Sequence, residues 1–493
     1  MAILDVNHFG FRFVILFFNC MLTFGSYFCF DMPSVLQDQF TEHNNCTNGT
    51  EDYEIGNETY HCNNCTDCLG MTPDNYNLLY AIYAWTNAVV VIGAGFLIDK
   101  VGNRVGVFLF SSLCVLGSCV FAVGCMMKGT SAMLPLMLVG RLIFGSGNGS
   151  LTIVQNKITA FWFRNKELAM AFGITLCFSR AGSVLNFFFT ESFSQVYGLN
   201  WTLWAGAMLC GLGFASAIIL SFLDIHGVKQ LGDDAAIKSE SKKLKFTHIR
   251  HFSLAFWLVV LSIMFFYNGV FPFVADASKF IQYKYGFDDK TSSYIAGAVY
   301  DVSLVLSPFL GAFIDIVGKR GYLASFCALM TIPVFGILAF SNVYPAVATV
   351  WLGITYSVAA ASMWPTIPLV VAQATVGTAM GLTTSVQMIG IGISNLIVGQ
   401  ILGKSQHLEK EEGLKRWKYV MIFLLANVLA CVATTVALSI NDKRTNGILN
   451  ISKVEKTQRA LQEEETITTT DEKYDSDHED DPLLPSRKRH TVN

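Results

Sequence analysis

Two ionisable side chains stand nearly alone inside long apolar runs of this 493-residue chain. Arg180 lies in Leu176-Cys-Phe-Ser-Arg-Ala-Gly-Ser183 and Asp301 in Ala298-Val-Tyr-Asp-Val-Ser303. A guanidinium offers a planar fork of donors that fits a carboxylate. An aspartate accepts from an ammonium or takes up a proton. An unpaired charge at the centre of a membrane helix costs roughly 2.5–3.5 kcal/mol on insertion scales, so it is kept where it faces a cavity or a partner. Because the two charges fall in different halves of the chain, three readings are open. They hold the two ends of a zwitterion, they pair with each other as a gate, or one of them faces a small internal water pocket.

The elements that position them follow from composition. The chain is 52% hydrophobic and only 14% charged, with mean hydropathy +0.45, which excludes an ordinary soluble protein. Twelve apolar stretches of membrane-spanning length occur at 11–32, 77–98, 105–127, 132–156, 168–190, 203–223, 253–275, 292–314, 321–341, 345–370, 378–402 and 417–440. Lipid leaves backbone polar groups no partner, so these must be helices. The short alternating segments of a membrane barrel are absent from the sequence. Two decapeptides, Gly95-Phe-Leu-Ile-Asp-Lys-Val-Gly-Asn-Arg104 and Gly311-Ala-Phe-Ile-Asp-Ile-Val-Gly-Lys-Arg320, agree at six of ten positions and lie 216 residues apart. A membrane chain duplicated in this way is a common design among secondary transporters. The reading is therefore an all-α membrane protein of twelve transmembrane helices in two six-helix bundles. Residues 1–224 form the first bundle, 225–251 a charged linker, 252–440 the second bundle, and 441–493 a disordered polar tail.

Charge placement orients the chain. The loop 33–76 has no Lys or Arg and eight acidic residues, whereas Lys100, Arg104, Arg164, Lys166, Lys319 and Arg320 lie in short loops on the other side. By the positive-inside rule both termini are cytosolic and the long loop is luminal. That loop holds Cys46, Cys62, Cys65 and Cys68 beside sequons at Asn45, Asn48, Asn57 and Asn64. Disulfides are the preferred reading in a glycosylated, non-cytosolic loop; the alternative is a zinc site, given the spacing of Cys62, Cys65 and Cys68. The sequons at Asn148 and Asn450 are expected to stay bare, one inside a helix and the other cytosolic. In the tail, Glu479-Asp-Asp-Pro-Leu-Leu484 fits an acidic dileucine sorting signal. Clathrin adaptors would seat Leu483 and Leu484 in a pocket while Glu479 meets a basic patch.

The repeated decapeptide resembles the helix 2–3 loop signature of the major facilitator superfamily, G-x-x-x-D-[RK]-x-G-x-[RK], with Ile316 departing from it in the second copy. Asp99 and Asp315 would each meet a helix N-terminus and lock the cytosolic gate, with Arg104 and Arg320 alongside. Gly140-Arg141-Leu-Ile-Phe-Gly145-Ser-Gly147 resembles the superfamily's helix-4 motif, which gives Arg141 a structural or gating role, with substrate contact as the alternative. Candidate cavity residues are Tyr27, Asp31, Asn186, Tyr267, Asn268, Tyr356, Trp364 and Gln387. For each of them the competing reading is ordinary packing.

A closer resemblance, over about residues 12–440, is to the lysosomal dipeptide transporters, the major facilitator superfamily domain-containing protein 1 group. The segments that carry it are Phe24-Gly-Ser-Tyr-Phe-Cys29 with Asp31 and Pro33, Gln155-Asn156, Lys166-Glu167-Leu168, Arg180 with Gly182-Ser183, Val270-Phe-Pro-Phe273, Tyr356-Ser357 and Trp364-Pro365. This resemblance implies a facilitative uniporter in the lysosomal membrane that exports dipeptides, cationic ones among them, to the cytosol. It places Arg180 in the substrate site and implies a helix-4 glutamate beside it, a position that reads Gly149 here. Asp301 is then the candidate to supply the missing carboxylate. The resemblance also implies a glycosylated lysosomal membrane accessory protein as a protease shield. The four sequons of the loop 33–76 would let the chain carry its own glycans instead. A homodimer, membrane lipid and clathrin adaptors complete the expected partners. No nucleic acid, metal or cofactor is expected, and no Walker loop or HExxH motif points to an enzyme. The competing functions are a proton-coupled carrier of other small organic solutes and a non-transporting scaffold or nutrient sensor.

Overall fold

A computed structural model describes residues 6, 8–36, 39–40, 53–55, 58–60, 68–71, 73–164, 166–231, 249–250, 252–402, 410–445, 447, 449–452, 455 and 458. The first half contains α1 (Phe9–Val35), α2 (Pro73–Val101), α3 (Asn103–Met126), α4 (Met133–Phe163) and α5 (Leu168–Leu231). The second contains α6 (Leu254–Tyr285), α7 (Asp289–Val317), α8 (Arg320–Phe340), α9 (Pro345–Met363), the short α10 (Ile367–Val370), α11 (Val376–Leu402) and α12 (Lys410–Arg444). Between α1 and α2 a small hairpin pairs β1 (Tyr53–Ile55) with β2 (Glu58–Tyr60), Tyr53 lying opposite Tyr60.

Eleven of the described helices are long and apolar enough to cross a membrane. The 64-residue α5 would be about 96 Å long if straight, three times the hydrocarbon core. It is broken at Gly198, whose backbone (φ 81°, ψ 164°) only glycine adopts readily. Each limb is long enough for one pass, so the described residues supply twelve segments of spanning length, as the hydropathy pattern predicts. The second limb reaches Leu231 and α12 reaches Arg444, several residues beyond the expected bundle ends at 224 and 440. Polar residues extend a helix readily once it leaves the lipid.

Helix starts are capped by short polar side chains. The Phe256 N–H donates to Ser253 Oγ at 3.3 Å, and the Thr291 N–H to an Asp288 carboxylate oxygen at 3.2 Å. Within the first half α1 packs along α5 and α3 along α4; within the second α7 packs on α9 and α12 on both α6 and α8. The halves meet along two seams, α2 with α11 and α5 with α7.

Both seams are tight at one end only. Residues Val376 to Gly381 of α11 are all buried, whereas Ile389, Ile393 and Leu396 further along are exposed. On α5, Leu168, Ala169, Ala171 and Phe172 are buried, whereas Phe187, Phe188 and Phe189 are exposed. The tight end is the one that carries the decapeptides. Gly95 there faces the Gly377 carbonyl and Gly311 faces the Ala169 carbonyl, each so closely that any Cβ would collide with backbone.

The first residues of the expected tail fold back on this end. Asp442 accepts hydrogen bonds from the Leu449 and Asn450 N–H groups (3.3 and 2.9 Å). The Tyr322 N–H donates to Asn450 Oδ1 at 3.0 Å, so Asn450 helps to cap α8 from outside the helix. Lys319, which has a positive φ of 49°, donates its N–H to the Ile451 carbonyl at 3.2 Å.

Cys68 is buried and disulfide-bonded. Cys46, Cys62, Cys65, Asn45, Asn48, Asn57, Asn64, Glu479, Leu483 and Leu484 lie outside the described residues, as does most of the linker.

Candidate functional site

At the tight end, each half closes on the other through a carboxylate aimed at a helix N-terminus. Asp99, at the end of α2, accepts from the Gly377 N–H (2.9 Å), the Thr378 N–H and the Thr378 hydroxyl (2.6 Å). The unsatisfied N–H groups and positive dipole end of α11 favour an anion there. Asp315, at the end of α7, does the same for α5, accepting from the Ala169 (3.0 Å) and Met170 (2.7 Å) N–H groups. Each carboxylate also has a cation. Lys157 Nζ is 2.8 Å from Asp99, and Arg320 is 2.7 Å from Asp315. Arg164, just past α4, adds a strap, donating to Gln373 Oε1 (2.7 Å) and the Val371 carbonyl (3.2 Å) of the other half. Gly102 and Gly318, the second glycines of the decapeptides, both have positive φ (104° and 69°), which turns the chain directly after each gating carboxylate.

Near the middle of the first limb of α5, where the tight seam ends, Arg180 reaches the second half. It donates to the Tyr356 hydroxyl at 2.7 Å, and its guanidinium lies 4.3 Å from the ring centroid of Tyr300. Tyr356 is fully buried and belongs to an aromatic wall with Tyr267, Phe271 and Trp364. Trp364 Nε1 donates to the Tyr267 hydroxyl at 2.9 Å, which fixes both rings. Arg180 Nε is buried without a hydrogen-bond partner. From the first half, Asp31 lies close to Ser183 and within electrostatic range of Arg180 and Arg141. Tyr27 lies within range of both Arg180 and Tyr83. The arrangement presents a charged fork, partly unsatisfied, against a rigid aromatic wall. That chemistry suits a carboxylate with an organic body behind it.

The structure takes Asp301 out of this cluster. It lies on the exposed outer face of α7, on the stripe that carries Tyr294, Val305 and Phe309. Successive helical residues diverge by about 100°, so Tyr300 points at Arg180 while its neighbour Asp301 faces away. Asp301 therefore neither pairs with Arg180 nor supplies the carboxylate expected beside Gly149. Arg104 is exposed, and among the described residues the cation on Asp99 is Lys157. Arg141 stays within the first bundle, donating to the Phe30 carbonyl (3.4 Å) and lying over the Tyr80 and Phe121 rings. Asn186 accepts from Thr190 on its own helix at 2.6 Å, leaving its Nδ2 buried and unpartnered. Gln387 is buried in α11. Asn268 packs against Gly390, and its Oδ1 is unpartnered.

Four contributors were not singled out from the sequence. Tyr300 reads as one more membrane aromatic. Lys157 falls one residue past the expected end of its helix, and Arg164 reads only as a topology marker. Asn87 occupies the space beside Gly149, where a Cβ would run into its side-chain amide, and its Oδ1 is buried without a partner.

The fold and the site define a polytopic carrier, and the chain belongs to the Major Facilitator Superfamily, whose family model matches residues 13–395. It is a transporter, not an enzyme. Over 475 residues it is 31% identical to the lysosomal dipeptide transporter MFSD1 of Bos taurus, covering 94% of this chain and 93% of that protein. The protein of that name from Homo sapiens is 31% identical over 462 residues, covering 92% and 90%. Among solved structures, a bacterial homologue of the iron transporter ferroportin in its outward-facing state superposes with a TM-score of 0.65 at 12% identity, over 87% of this chain and 99% of that one. The proton:xylose symporter XylE gives 0.60 at 12% identity, over 89% and 98%. At such identities these two share the fold alone.

Proposed function

We propose that this protein is a facilitative dipeptide carrier of the lysosomal membrane, exporting its substrate to the cytosol by alternating access. The observation that carries the reading is Arg180. It is an arginine of one half, held by Tyr356 and Tyr300 of the other, at the depth where the tight seam ends. A dipeptide carboxylate docking on this fork would change the contacts between the halves, which is what a carrier needs in order to couple binding to rocking. In this reading the decapeptide end is cytosolic, both termini lie on that side, and the described state is closed to the cytosol. The named relatives support the dipeptide and the organelle. The loop sequons supply glycans, the dileucine tail recruits clathrin adaptors, and a glycosylated accessory protein and a second copy of the chain are candidate partners.

The test is thermal unfolding of the purified, detergent-solubilised protein with dipeptides, free amino acids and sugars. A ligand that binds the native state raises the apparent midpoint. Dipeptides should stabilise the wild type and leave Arg180→Gln unshifted; stabilisation by sugars alone would refute the reading.

A further inference from the structure

The charges that face inward near the middle of the membrane do not balance. At the tight end Asp99 with Lys157 and Asp315 with Arg320 form neutral pairs. On α6, Asp276 has Lys279 within electrostatic reach. Asp301 faces outward. Asp224, which accepts from Trp162 Nε1 at 2.9 Å, also lies within reach of Lys157 at the tight end. Around Arg180 itself, the charges among the described residues are a second arginine, Arg141, and one carboxylate, Asp31, which lies within range of both. Ionised, Asp31 leaves one positive charge in surplus; protonated, it leaves two. The groups that hold Arg180 are the Tyr356 hydroxyl and the Tyr300 ring, and neither is a carboxylate.

The place where another acid would fit is occupied by an amide. Asn87 is buried on α2, one residue before Ala88, whose carbonyl accepts from Ser385 of the other half. Its side chain closes the space over Gly149, and its Oδ1 has no hydrogen-bond donor. Tyr83, one turn earlier on the same helix face, donates nothing to Asn87 but accepts from Asn148 at 2.8 Å. Tyr27 lies near both Tyr83 of this corner and Arg180. The corner can accept a hydrogen bond from an ammonium but adds no countercharge.

We propose that the Arg180 site prefers dipeptides carrying one net negative charge, and that the amide of Asn87, packed over Gly149, sets that preference. The inference rests on the dipeptide reading of the same site. The peptide carboxylate docks on Arg180 and the amino group on the Asn87 carbonyl oxygen. An acidic side chain then neutralises the surplus, whereas a basic one adds to it. Two unit charges about 8 Å apart at an effective dielectric near 20 interact enough to change binding roughly 30-fold.

The experiment is uptake of Ala-Glu, Ala-Ala and Ala-Lys by the full-length protein in liposomes, at pH 7 on both sides and with no membrane potential. Ala-Glu should exceed Ala-Lys in initial rate at low concentration by at least about 10-fold, with Ala-Ala between them. Asn87→Asp keeps the shape and adds the acid, so it should narrow or invert that ratio. Uptake of Ala-Lys by the wild type at or above that of Ala-Glu would overturn the proposal, as would an unchanged ratio in a folded Asn87→Asp protein. If that variant does not fold, the wild-type panel decides. If none of the three peptides is taken up, the dipeptide reading is what fails. Charge preference is then scored by thermal stabilisation with glutamate, alanine and lysine, where stabilisation by lysine at or above glutamate overturns it.

Discussion

Replacing Asp99 by Asn isolates the gate. The carboxylate accepts three hydrogen bonds from the start of α11, two from backbone and one from the Thr378 hydroxyl. Asn keeps one acceptor oxygen and turns an NH₂ toward the remaining donors, so at least one of these bonds is lost and the rest lose their charge assistance. The pair with Lys157 lies within the first half, so it survives opening and drops out of the difference. Hydrogen bonds to a charged group contribute about 1.5–3 kcal/mol each, so the closed state loses about 2–4 kcal/mol. That moves the open-to-closed ratio at this end by roughly 30- to 1000-fold. Spin labels at Lys166 and Lys443, both exposed and on different halves, report the change by pulsed electron resonance. The wild type should give one short distance, and Asp99→Asn should add a longer population. Asp315→Asn should do the same, whereas Arg104→Ala should not. An unchanged distribution in both Asn variants would refute the view that these carboxylates hold the gate.

Three other outcomes are expected. Gly311→Leu, which drives a side chain into the Ala169 carbonyl, should keep the tight end from closing and reduce proteoliposome uptake by at least ~10-fold, a loss well within the reach of a packing clash. Arg164→Ala removes two hydrogen bonds across the seam; it should shift the spin-label distances in the same direction as Asp99→Asn but by only about 1–2 kcal/mol. Asn450→Ala removes the external cap on α8 and should cost about 1 kcal/mol, read as a small fall in the thermal midpoint with uptake unchanged.

Much of the architecture was legible because hydropathy and repetition are properties of sequence alone. The decapeptides marked the ends of α2 and α7, and the gap between the apolar runs 168–190 and 203–223 marked the break in α5, though not the glycine that makes it. What sequence could not supply was helical phase. The acid at 301 draws attention because charges at membrane depth are costly, yet one step of about 100° puts Tyr300, not Asp301, against Arg180. The same limit hides Asn87, whose meaning depends on its contact with Gly149 across two helices. Lys157 escaped notice because polar residues at a helix end look like loop, and only packing shows that Asp99 lies beside it. Arg180, Tyr356, Tyr267 and Trp364 are scattered over 185 positions, and only the seam between the halves brings them together.

The most direct test of the account is counterflow of a labelled dipeptide into liposomes containing the purified protein, comparing wild type with Arg180→Lys, which keeps the charge but loses the planar fork. Saturable uptake by the wild type, with a loss of 100-fold or more in the variant at preserved thermal stability, is the result the account predicts. Equal uptake by the two proteins would contradict it, because substrate would then cross without engaging the guanidinium that Tyr356 and Tyr300 of the other half hold.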